Sequence, residues 1–189
     1  IIRGQALKTY AILGPADTTD RLLPFLNKSD RDLEKGALVG ILYFDQDNEM
    51  ANRHLLDSVR SQNINERLLA TEVIAETGVP RFSDYLIELL EDTDPLIVER
   101  AIIAAGNLQD PRLVNILVKK LATVSLQGTT SLSLRHFGEA ALYDLDIGLT
   151  SPEATRQEKN HIIETIREIG GERATEILLR HLEIEQPEL

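Results

Sequence analysis

Asp94-Pro95-Leu96-Ile97-Val98-Glu99-Arg100-Ala101-Ile102-Ile103-Ala104-Ala105-Gly106-Asn107-Leu108-Gln109 runs directly into Asp110-Pro111-Arg112-Leu113-Val114-Asn115-Ile116-Leu117-Val118-Lys119-Lys120-Leu121. Both halves open on Asp-Pro. The Asp offers an N-cap acceptor, and the Pro has the fixed φ that suits the first helical position and lacks an N–H that would be unpaired there. Ile97, Ala101, Ala104, Ala105 and Leu108 then fall at helical spacing, as do Leu113, Ile116, Leu117 and Leu121. A link as short as Gln109-Asp110 forces the two helices antiparallel and into contact. The small residues Ala101, Ala104, Ala105 and Gly106 let the first helix approach its neighbours closely.

On either side the chain repeats this helix pair. Shifted by 31 residues, Arg81 falls on Arg112, Ala70 on Ala101, Leu56 on Ile87 and Val59 on Leu90; Ala37 precedes Ala70 by 33. Two helices per period of this length is the pattern of an α-solenoid. In chain order, helices are predicted over 1–13, 17–26, 30–44, 49–59, 63–77 and 81–90, then the reference pair. Beyond Leu121 the period falters. The polar stretch from Thr123 through Ser133 shows no clean stripe and reads as a loop plus a degenerate or shortened helix ending near Phe137. Helices resume over 138–149. Ser151-Pro152 offers a fresh cap for a helix over 153–169, closed by Gly170-Gly171. A last helix covers 172–182, and the tail from Glu183 reads as frayed.

At Asp94, Pro95, Ile97, Ala101, Gly106, Leu108, Asp110, Pro111 and Arg112 the unit resembles a HEAT-like repeat of the phycobilisome-lyase type. Val98 stands where that pattern has Arg; Asn63 and Arg67 match better one repeat earlier, where Glu66 replaces the aliphatic. The resemblance covers most of the chain and is weakest over 123–137. Gly138-Glu139-Ala140-Ala141-Leu142, Ser151-Pro152-Glu153 and Ile169-Gly170-Gly171 are also similar to cytosolic HEAT segments of bacterial nucleotide-transporter-like membrane proteins, which would imply a regulatory or scaffolding role.

Composition narrows the function. The 189 residues carry a net charge of −11, no Cys and no Trp. That balance speaks against a phosphate-backbone partner and against an anionic membrane surface. Sparse aromatics leave little for base stacking. Without Cys there is neither a disulfide framework nor a thiolate metal site. The longest apolar run, Ala37 to Phe44, is too short to span a bilayer. The chain opens on Ile1-Ile2 without a secretory leader, so a cytoplasmic fragment of a longer protein is expected.

Chemistry is thinly signposted. Glu158 and His161, or His161 and Glu164, could share a metal, although solvated side chains on a helix are the plainer reading. No phosphate loop and no nucleophile elbow occur. The remaining candidate is the surface of the second helix of each pair, which the resemblance places on the concave side of the stack. Its outward positions are Lys35, Val39 and Tyr43; Leu68, Glu72 and Glu76; Glu99, Ile103 and Asn107; and Asn160, Glu164 and Glu168. This stripe is acidic with apolar groups between, which suits a basic or amphipathic protein segment.

The expectation is therefore an all-α, right-handed superhelix of about six antiparallel helix pairs in one domain over 1–189. Its role is a non-catalytic protein-interaction scaffold or regulatory module without cofactor. A structural spacer or self-association module is the alternative. A HEAT-fold lyase or glycosylase is a further one: the first lacks any residue to which a role can be given, and the second lacks a basic, aromatic-lined face.

Overall fold

The computed structural model describes residues 2–14, 17–26 and 30–184. Twelve α-helices occur among them, and no strand. They are α1 (Ile2–Ile12), α2 (Thr18–Leu22), α3 (Arg31–Phe44), α4 (Glu49–Val59), α5 (Ile64–Thr77), α6 (Ser83–Leu90), α7 (Pro95–Leu108), α8 (Val114–Lys120), α9 (Gln127–Phe137), α10 (Leu142–Thr150), α11 (Arg156–Ile169) and α12 (Glu172–Ile184). Short 3-10 turns lead into α6, α8, α9 and α10. The link between the helices predicted over 1–13 and 17–26 lies partly, and the tail beyond Ile184 wholly, outside the described residues. The chain forms two compact units, Ile1–Ala104 and Ala105–Leu189, dividing inside α7.

In the first unit α1, α3 and α5 form one layer, and α4 and α6 pack behind it. Asp30 caps α3 by accepting from the N–H groups of Asp32 and Leu33 at 3.1 and 3.3 Å. The predicted apolar run lies at the centre of this unit: Ala37, Leu38, Val39, Ile41 and Leu42 are all fully buried, because α3 touches α1, α2, α4 and α5. The α1–α3 contact is backbone on backbone. A Cβ on Gly36 would overlap the Gly4 main chain, and one on Gly4 would overlap the Asp32 carbonyl. With no side chain between Gly4 and Gly36, the two helices approach closely enough that neither glycine leaves room for a methyl group.

The reference unit folds as its caps direct. Asp94 accepts from the Leu96 N–H at 2.9 Å. Ile97, Ala101, Ala104, Ala105 and Leu108 are all buried on α7. Gln109 takes a left-handed conformation, φ 54°, and Asp110 restarts the chain by accepting from the Arg112 N–H at 3.0 Å.

In the second unit α9 and α11 pack together, and α8, α10 and α12 form the other layer. The 123–137 stretch is a short 3-10 turn followed by α9, an 11-residue helix against 14 in α7, ending at Phe137 as expected; its buried face is Gln127, Thr130, Ser133, Leu134 and Phe137. That is a helical stripe written largely in polar and small residues. Ser133 lies against Gly106, where an added Cβ would meet its side chain at 2.9 Å. Gln127 donates to the Leu121 carbonyl at 2.9 Å; the Thr130 hydroxyl is buried without a hydrogen-bond partner. One expectation is corrected here: α11 begins at Arg156 rather than 153. Thr155 and Glu158 make a reciprocal capping box that satisfies two N–H groups at once. Ser151-Pro152 stays in the connector.

Candidate functional surface

On α3 and α5 the predicted stripe is not free acid. Lys35 on α3 reaches Glu72 at 3.3 Å and Glu76 at 3.0 Å on α5. Arg31 holds the other oxygen of Glu72 at 3.2 Å, and Lys8 on α1 holds the other oxygen of Glu76 at 3.1 Å. Three helices are thus laced by four ion pairs. Burial alone would push the Glu76 carboxyl up; the hydrogen bonds from Lys35 and Lys8 outweigh it and hold Glu76 below its ordinary value. Lys35 mirrors this: burial opposes its charge, and the Glu76 carboxylate raises it above its ordinary value.

Other stripe positions divide by environment. Val39 is fully buried and contributes no surface, a correction that follows from the helices surrounding α3. Tyr43 is 53% and Ile103 39% exposed; Leu68 and Glu99 are half-buried, and Asn107 and Asn160 are exposed. In the second unit Glu164 pairs with Arg167 along α11. Glu168 lies 3.6 Å from Arg135 on α9. Most of the acidic groups named from the sequence therefore already hold a cation of this chain.

Two further pairings explain sequence features. Arg67, at the Arg position of the repeat pattern, grips Asp92 through Nε at 2.7 Å and Nη2 at 3.3 Å and donates to the Ser61 carbonyl at 2.9 Å. Asp92 in turn accepts from the Asp94 N–H at 2.8 Å. This Arg is a clamp between one repeat and the turn that opens the next. At the equivalent place Val98 is buried instead. Glu158, one of the carboxylates considered for a metal, accepts from the Thr155 N–H at 2.5 Å. His54 pairs with Glu34 at 2.8 Å and His181 with Asp146 at 2.9 Å. No cluster of three His, Asp or Glu able to hold a metal occurs among the described residues. None of their helices is long and apolar enough to cross a membrane.

The family described as HEAT repeats matches residues 52–127, from α4 to the start of α9. No curated protein matches the chain. Among solved structures, an engineered protein determined by crystallography as a Northeast Structural Genomics Consortium target is similar. It has 18% identity and a TM-score of 0.51, over 88% of this chain and 86% of that one. At that identity the likeness speaks for the fold alone. With the repeated helix pairs, these matches make the fold an all-α, HEAT-like repeat solenoid. HEAT repeats generally act as protein-interaction scaffolds.

Proposed function

We propose that this chain is a non-catalytic protein-binding scaffold or regulatory module, working in the cytoplasm as part of a larger protein and without a cofactor. Its partner is an amphipathic protein segment lying along the helices that carry the stripe. One observation supports this reading above the others. Where carboxylates of the stripe are neutralised by the chain's own Lys and Arg, the open side chains carry no net charge of their own and include the apolar Tyr43 on α3 and Ile103 on α7 beside the polar Asn107. A neutralised surface with exposed apolar groups favours an amphipathic segment over a purely basic one.

Charge reversal at Glu72 and Glu76 is a poor test, because it also strands Lys8, Arg31 and Lys35. Photo-crosslinking at apolar positions is cleaner. A benzoylphenylalanine at Tyr43 or Ile103 should trap the partner in lysate of the source cell, with the adduct competed away by excess unmodified chain. The same probe at Met50, 60% exposed on α4, should trap nothing. Equal trapping at all three positions, or none at Tyr43 and Ile103, removes this reading. A mass that rises with concentration in light scattering, without trapped partner, supports self-association instead.

A further inference from the structure

The second unit holds a cleft of about 370 Å³ between α8, α10 and the connector into α11. Its floor is apolar: Val118, Leu121, Ile147 and Ile162. One wall is the connector between α10 and α11, Ser151 to Thr155, five residues long where the links before α5 and α7 are four. The volume falls in the range of sites that enclose a ligand or an anchoring side chain.

The rim differs from the stripe in one respect. Glu72, Glu76, Glu164 and Glu168 each hold a cation, whereas among the described residues Asp144 has only a 3.4 Å hydrogen bond from Asn115, and Glu153 has no cation. Both face the cleft, with a single Lys119 on the same rim. An apolar floor under a net negative rim selects an occupant with an aliphatic body beside a positive charge.

We infer that this cleft docks a peptide segment of a protein partner, seating one aliphatic side chain on the floor with an adjacent Arg or Lys at Asp144 and Glu153. This rests on the scaffold reading and adds to it a second, separate contact. The test is selection of random dodecapeptides displayed on phage against the whole chain. Enriched peptides should share an aliphatic residue next to Arg or Lys. Ala122→Phe, which fills the cleft from an exposed position, should weaken their binding by about tenfold or more. Ala154→Leu, which fills it from the connector, should do the same, so that a folding defect in one variant does not decide the result. Asp144→Lys with Glu153→Lys should weaken Arg-bearing peptides and spare versions in which that Arg is replaced by Gln. Enriched peptides lacking the aliphatic–basic pair, or indifferent to both filling variants, overturn the cleft and leave the scaffold reading standing. Failure to enrich any peptide also overturns the cleft, while crosslinking at Tyr43 and Ile103 decides the scaffold on its own.

Discussion

Asp146 shows how a single carboxylate ties two helices of the second unit. It sits on α10, and Arg180 and His181 of α12 reach its two oxygens at 2.5 and 2.9 Å. Burial alone would raise its pKa; the hydrogen bonds from His181 and Arg180 reverse that and hold it below its ordinary value of 3.8. A carboxyl with a depressed folded pKa contributes stability that is present above its unfolded pKa and is lost as pH falls through the folded one. Asp146→Asn should therefore lower the urea midpoint most above about pH 4 and progressively less at lower pH. A loss that stays constant from neutral to acid pH would assign the residue to packing instead. At this scale the sequence is a poor guide. His181 could be read as a lone helical histidine, since its partner lies 35 residues away. Glu72 and Arg31 are 41 residues apart and meet only once α3 and α5 are side by side.

Helices differ in how openly they announce themselves. The start of α3 and the turns at Asp94 and Asp110 were legible because a cap is made by residues two or three apart. The most closely packed pair, α1 and α3, is marked by what is missing. Gly36→Ala should cost about 1–3 kcal/mol, since the new methyl meets backbone that has no flexible end to move. Gly128→Ala on α9, where nothing lies within 4 Å of an added Cβ, should instead stabilise by about 0.5 kcal/mol through helix propensity. Urea unfolding of both variants checks the pair, and equal effects would refute the close-contact account. The α9 helix escaped hydropathy because Thr130 and Ser133 are buried by closeness rather than by apolar bulk, Ser133 against Gly106. The start of α11 escaped because two cap signals lie four residues apart, and the capping box at Thr155 satisfies more donors than Ser151 could.

For the whole molecule, periodicity carried the architecture. Repeats of 31 to 33 residues predicted stacked helix pairs, and the helix boundaries follow that period. The candidate surface was half legible: helical positions could be counted, but charges could not be paired. Val39 fell on the stripe by counting and lies inside the first unit in fact. Net charge remains informative at this scale. At −11, the chain should pass through immobilised heparin unretained at about 50 mM salt, whereas phosphate-backbone binders are held most tightly at such ionic strength. Retention there would expose a local basic surface that the total conceals.

The lacing of α1, α3 and α5 has a consequence for descent. Lys35 answers to Glu72 and Glu76 together, Lys8 to Glu76 and Arg31 to Glu72. None of these five positions can reverse its sign alone without stranding a neighbour of like charge. They are free to drift only as a set, so homologues should exchange them in concert: carboxylates at 8, 31 and 35 accompanied by bases at 72 and 76. Neighbouring open positions such as 43 should vary with whatever each homologue binds.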